Sequence, residues 1–153
     1  MPNTYTQIHI QVVFAVKYRR AVIAPPWNKE LYKYLTGIIC NQGHIPLAIN
    51  GMADHIHILF GMRPVQSLSE LIQYIKASSS KWINENNKTE YRFKWQSGFG
   101  AFSYSKSQVP RVIKYIENQQ NHHRKISFQK EYIEHLKKFE IEYSDEFLFN
   151  SPL

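Results

Sequence analysis

Residues 8 to 16 place an apolar side chain at every second position: Ile8, Ile10, Val12, Phe14 and Val16. Between them stand His9, Gln11, Val13 and Ala15, a mixed and partly polar set. A period of two is that of a β-strand with one face for a core and another for something wetter. The segment is therefore read as the first strand of a sheet.

The rest of the chain supplies the partners in a definite order. Pro25-Pro26 opens a helix in which Trp27, Leu31, Tyr34, Leu35 and Ile38 recur at helical spacing, with Gly43 as its stop. Residues 44–50 and 55–62 read as two strands joined through Gly51-Met52-Ala53-Asp54, a hairpin. Ser67 and Glu70 form a Ser-x-x-Glu capping box ahead of a second helix, whose buried stripe is Leu68, Leu71, Ile72, Ile75 and Trp82. Residues 98–104 are a fourth strand, punctuated by glycine and rich in aromatics. A third helix begins near Ser107, tolerates Pro110 in its first turn and runs to about His122. A last amphipathic helix starts from Ser127 and carries Phe128, Tyr132, Leu136 and Phe139.

Strand, helix, strand, strand, helix, strand is the ferredoxin-like βαββαβ order: an α+β fold with an antiparallel sheet and helices on one face. A tyrosine-bearing helix and a final helix are appended to it. The other sheet face is left for a ligand or a partner element. We expect one domain over residues 1–143 and a tail over 144–153.

Composition narrows the partners. Lys plus Arg is 19 against 12 for Asp plus Glu, a net charge of +7, which favours a polyanion, nucleic acid first. Aromatics make up 14% of the residues; most belong to a core, and some can stack on unpaired bases. The single cysteine, Cys40, excludes an intrachain disulfide framework and fits a reduced, cytoplasmic setting. No stretch approaches the ~18 apolar residues that span a bilayer, and no signal segment opens the chain.

The most informative run is Asp54-His55-Ile56-His57-Ile58-Leu59-Phe60. On a strand, His55 and His57 share one face about 7 Å apart, while Ile56, Ile58 and Phe60 face the core. Two imidazoles so placed can share a metal ion. They do not complete a site, and the strand holds no cysteine or third histidine. Imidazole suits zinc, iron, nickel and copper, whereas magnesium prefers oxygen. A structural histidine pair is the competing reading.

In the third helix Val109, Val112, Ile113 and Ile116 form the apolar stripe. Tyr115 and Gln119 lie four residues apart at its border, with Arg111 and His122 extending the polar side. Taken alone this is a solvated flank. Chemically it can present a phenol beside an amide oxygen. Only about one tyrosine in a thousand is ionised at pH 7, but a phosphotyrosine carries a good leaving group. A DNA 3′-hydroxyl can attack it and reseal a backbone without ATP.

Three segments in order carry a family resemblance: Gly51 to His57, Trp95 to Tyr104, and Tyr115 to Gln119. Lys17-Tyr18-Arg19-Arg20 and the closing run from Phe139 to Tyr143 add to it. The chain resembles the single-tyrosine HUH (His, hydrophobic, His) transposases of small bacterial and archaeal insertion sequences, REP-associated tyrosine transposases among them. The resemblance implies that His55 and His57 bind a divalent ion, magnesium or manganese, with Gln119 as third ligand. It implies Tyr115 as the nucleophile that cuts single-stranded DNA at element ends through a 5′-phosphotyrosine. It further implies recognition of a hairpin near those ends, and a homodimer in which the tyrosine helix of one chain serves the His pair of the other. Lys106, Arg111, Lys114, Arg124 and Lys125 flank the tyrosine helix as candidate phosphate contacts. His9, on the wetter face of the first strand, is a further candidate for the site.

Two rivals stand beside this reading. One is a non-catalytic single-stranded nucleic-acid-binding module of RNA-recognition-motif topology, suggested by the element order and by Gly98 to Phe102. Ala101 interrupts that module's usual spacing. The other is an unrelated His-x-His metalloenzyme, which lacks a third zinc ligand in the sequence and leaves Tyr115 unexplained.

Overall fold

The computed structural model describes residues 3–123 and 126–143. The four strands are β1 (His9–Ala15), β2 (Ile45–Met52), β3 (His55–Gly61) and β4 (Gly100–Tyr104). They form one sheet in the order β2-β3-β1-β4, antiparallel throughout. The expected βαββαβ fold is present. Helix α1 (Trp27–Asn41) follows β1, and α2 (Leu68–Glu85) follows β3.

Both helices lie on the face of the sheet that the alternation marks as greasy. Val12, Phe14, Ile56, Ile58 and Phe60 pack there against Leu31, Leu35 and Ile39 of α1 and Leu71, Ile72, Ile75 and Ile83 of α2. Full burial of each such side chain contributes about 1.5–3 kcal/mol. Ser67 caps α2, its Oγ accepting the Glu70 N–H at 3.1 Å. Trp82, expected in the buried stripe, sits instead at its edge and stacks on Tyr34, with ring centroids 5.1 Å apart.

The opposite face is covered by the chain's own C-terminal helices. The tyrosine segment divides into α3 (Val109–Glu117) and a single turn, α4 (Gln119–His122), after a 3-10 turn at Lys106–Gln108. The expected continuous helix is broken at Asn118. The cause is on β2: the Asn50 amide donates to the Ile116 carbonyl at 3.0 Å and the Glu117 carbonyl at 3.2 Å, taking up acceptors at the end of α3. Gln120 Nε2 then donates back to Asn50 Oδ1 at 3.1 Å. Val112 and Ile116 bury against Leu59. Helix α5 (Phe128–Lys138), capped by Ser127, lays Phe128 and Leu136 on Val13, Ala15 and Phe102. Residues 144–153, expected as a tail, lie outside the described residues.

That cover removes the open aromatic sheet face an RNA-recognition-motif module would need: Phe102 is buried beneath Phe139 and His135. Among the described residues no helix is long and apolar enough to cross a membrane.

Candidate metal and nucleophile site

Register aims the histidines. His55 pairs with Ala15 and Met52, and His57 with Val13 and Asn50, so both imidazoles enter the space between the sheet and α3–α5. The β2–β3 hairpin is closed by Gly51, where a side chain would collide with the His55 carbonyl oxygen. Both histidines are buried.

Each imidazole is oriented by a partner behind it. Asp54 Oδ1 lies 2.7 Å from His55 Nδ1, and the Gln11 amide lies 2.9 Å from His57 Nδ1. Tyr104 in turn donates its hydroxyl proton to Gln11 Oε1 at 2.7 Å. Both Nε2 atoms are left facing the same interior point; Asp54 accepts at the back of His55 as the outer partner of a metal-binding histidine does, whereas the Gln11 amide donates to His57.

That point is occupied by Glu131 of α5, which is 1% exposed. Its two oxygens face different groups. Oε1 lies 2.9 Å from His57 Nε2, 3.2 Å from His123 Nε2 and 3.7 Å from His55 Nε2. Oε2 accepts the Tyr115 hydroxyl in a short hydrogen bond, and lies 3.1 Å from His122 Nε2 and 3.3 Å from Gln119 Nε2. Gln119 is fully buried, its Oε1 3.3 Å from His55 Nε2.

The electrostatics follow from burial first. Desolvation lowers His57 from its ordinary value to about 4, against the opposing pull of Glu131, so it is neutral at pH 7; with Nδ1 accepting from the Gln11 amide, its one ring proton is on Nε2 and points at Glu131. Burial alone would raise Glu131; the hydrogen bonds from His123 and His57 outweigh it and hold the carboxyl well below the usual carboxylate range. Burial, reinforced by the adjacent Glu131 charge, pushes Tyr115 far above an ordinary phenol. In this arrangement the tyrosine is a firmly protonated donor.

The donor set fits a divalent ion. One ligand atom from each of His55, His57, His123 and Glu131 lies within 4.8 Å of all the others. Donors around a shared ion at about 2.0–2.2 Å can be no further apart than about 4.4 Å, so a small side-chain adjustment suffices. Two further donor groups, absent from the sequence reading of the His-x-His strand, are thus offered by α5 and the segment ahead of it. Gln119 lies beside them.

The remaining expected residues divide. Tyr115 meets the His pair within one chain, its ring centroid 5.8 Å from that of His57. Arg111 lines a cleft of about 220 Å³ beside Tyr115, together with Tyr104, His122, His135 and Lys138. Lys106 and Lys114 are exposed away from the His pair's interior, and Arg124 and Lys125 lie outside the described residues. His9 pairs with Gly61, at the far end of β1 from His55, and does not join the site.

Sequence reading missed Glu131, His123, Gln11 and Asp54. A signal existed for the first: Glu131 falls three residues after Phe128 and five before Leu136, on the apolar side of α5 rather than its charged side.

Residues 4–119 match the family model described as "Transposase IS200 like". The chain is 23% identical over 118 residues to the ISDra2 transposase TnpA of Deinococcus radiodurans, spanning 74% of this chain and 84% of that protein. A crystal structure described as a transposase from Deinococcus radiodurans superposes with a TM-score of 0.62 at 21% identity, over 78% of this chain and 95% of the other. A REP-associated tyrosine transposase bound to a REP hairpin gives a TM-score of 0.60 at 13% identity, over 80% of this chain and 73% of the other.

Proposed function

Because this chain belongs to the IS200-like transposase family, we propose that it cuts and rejoins single-stranded DNA at the ends of an insertion sequence, with Tyr115 as the nucleophile. The observation that carries this is the shared carboxylate. Glu131 touches both the histidines suited to a metal and the hydroxyl suited to attack, so the two functions meet at one point.

In the proposed reaction the Tyr115 oxygen bonds to the scissile phosphorus, and the bond from phosphorus to the 3′-oxygen breaks. The products are a 5′-phosphotyrosine and a free 3′-hydroxyl. The phenol proton leaves through Glu131 Oε2 and ends on the departing 3′-oxygen. Rejoining is the same exchange run by another 3′-hydroxyl, one phosphodiester for another. Arg111, in the cleft beside Tyr115, neutralises the phosphate from the open side.

His55, His57 and Gln119 are the proposed metal ligands, with His123 and Glu131 Oε1 as further donors. A divalent ion there, magnesium or manganese, would supply positive charge to the phosphate oxygens. Oxygens from Gln119 and Glu131 beside imidazole nitrogens form a mixed set that a hard ion accepts. Asp54 and Gln11 hold the imidazoles in place.

We include in the proposal a homodimer whose active sites are shared between its two chains. Recognition of a hairpin near the element end is supported by the hairpin-bound structural relative.

The test is to incubate the protein with single-stranded DNA carrying the element's own end and magnesium or manganese. A denaturation-resistant protein–DNA adduct is expected. Tyr115→Phe should abolish it and leave DNA affinity intact; an adduct that persists would remove Tyr115 from the nucleophile's role. His57→Ala should lose cleavage and keep most affinity.

A further inference from the structure

A second feature of this surface lies outside the His-Glu cluster. β1 ends at Ala15, the register partner of His55, and the chain then turns sharply through a 3-10 turn at Lys17–Arg19. Tyr18 and Arg19 take φ values of 60° and 52°, the left-handed region that non-glycine residues rarely occupy. A fold that keeps two adjacent residues there over-determines the shape of the turn, and such sites concentrate where ligands are held.

The facing wall is the segment that follows α2. It is fixed at the backbone: Asn84 Nδ2 donates to the Phe93 carbonyl at 3.1 Å, and the Phe93 N–H donates to Asn84 Oδ1 at 2.7 Å. The Lys17 N–H donates to the Lys94 carbonyl at 3.0 Å, joining the two walls. Between them is a cleft of about 310 Å³ lined by Lys17, Tyr18, Arg20, Tyr91, Arg92 and Lys94. That volume is at the small end of ligand pockets, about 300–1,000 Å³. It suits one nucleotide and excludes a duplex.

The chemistry of the walls is unusual for a bare surface. Tyr91 is 66% exposed, with the Arg20 guanidinium 4.7 Å from its ring centroid. The Lys17 ammonium lies 5.3 Å from the Tyr18 ring. Among the described residues Lys17, Arg20, Arg92 and Lys94 have no carboxylate partner, and no acidic residue lines the cleft. Aromatic rings interleaved with unpaired cations stack unpaired bases and hold their phosphates.

We propose that this cleft takes one unpaired nucleotide of the DNA strand that enters the site, its base on Tyr91 and its phosphates on Lys17, Arg92 and Lys94. The inference rests on the reading of the chain as acting on single-stranded DNA. The lining of the cleft begins at Val16, one residue beyond the register partner of His55.

The test uses the full chain and a 5′-labelled oligothymidine, read by fluorescence anisotropy. Tyr91→Ala should weaken binding about five- to hundred-fold, the range of one base–aromatic stack, while Tyr91→Trp retains it. Changing Lys17 and Arg92 together to Ala should lower the slope of log affinity against log salt by roughly one to two. Oligothymidine containing 5-iodouracil should photocrosslink to a peptide containing Tyr91. Tyr91 is exposed, so the variant's melting curve should overlay that of the wild type.

A change of less than two-fold for Tyr91→Ala, or a crosslink confined to other segments, overturns the proposal. So does equal or tighter binding of the matching oligouridine RNA or of a DNA duplex. The two readings fail separately. Absence of any Tyr115 adduct refutes the transposase chemistry while the anisotropy still reports on the cleft; an adduct with unchanged Tyr91→Ala binding refutes the cleft alone.

Discussion

Replacing Glu131 by Gln keeps the shape of the side chain and removes its charge, which makes it the sharpest probe of the cluster. In the native chain both oxygens accept protons, from His57 and His123 on one side and from Tyr115 and Gln119 on the other. A glutamine offers one acceptor and turns an NH₂ group toward donors on the other side. At least two charge-assisted hydrogen bonds are lost, each about 1.5–3 kcal/mol. Part is returned because an amide is cheaper to bury than a carboxylate, a difference of several kcal/mol before pairing. We expect Glu131→Gln to lose about 2–4 kcal/mol at pH 7. For a domain of this size that lowers Tm by roughly 5–15 °C, at about 2–4 °C per kcal/mol.

The metal gives the second arm of the experiment. An ion at 100 times its Kd stabilises the native chain by about 2.7 kcal/mol. Thermal melts with and without manganese should show that increment in the wild type and a much smaller one in Glu131→Gln. A variant as stable as the wild type, with an unchanged response to manganese, would refute the assignment of Glu131 as the centre of the cluster.

Three further outcomes are expected. Gly51→Ala forces a methyl group onto the His55 carbonyl oxygen, and overpacking of this kind should cost about 1–3 kcal/mol by urea unfolding and weaken the manganese-induced rise in Tm. Burial lowers His57 to about 4 from an ordinary value near 6.5. Its folded value is the lower one, so the unfolded chain takes the proton first, and stability is whole above about pH 6.5 and falls as pH drops toward 4. Over that window the contribution is about 3 kcal/mol at 1.36 kcal/mol per unit, and the gap in urea midpoint between wild type and His57→Gln should narrow between pH 7 and pH 5. Ser67→Ala removes the cap of α2 and should cost about 1 kcal/mol with no effect on metal response.

Physical periodicity decides which parts of this molecule can be read in advance. The alternation in β1 and β3 places Val12, Phe14, Ile56 and Ile58 in one core and His55 and His57 opposite, because a strand's side chains have only two directions to take. The Ser67 box marks the start of α2 for a similarly local reason. The break at Asn118 has no local signal: neither glycine nor proline stands there, and its cause is an amide on β2 some 68 residues earlier, Asn50. Glu131 is hidden for the same reason. Only the docking of α5 on the sheet shows that its carboxylate meets four imidazoles, although its place on the apolar side of the helix was visible. Gln11 reads as an ordinary polar residue on a mixed face until Tyr104 and His57 are seen on either side of its amide.

His57 and Glu131 are 74 residues apart in the chain, and their contact closes the cluster. A polypeptide leaving the ribosome therefore displays its histidine strand well before the carboxylate has been synthesised, and has no finished cluster during that interval. A nascent or prematurely terminated chain ending ahead of α5 would carry the phenol and both imidazoles yet lack the group that joins them.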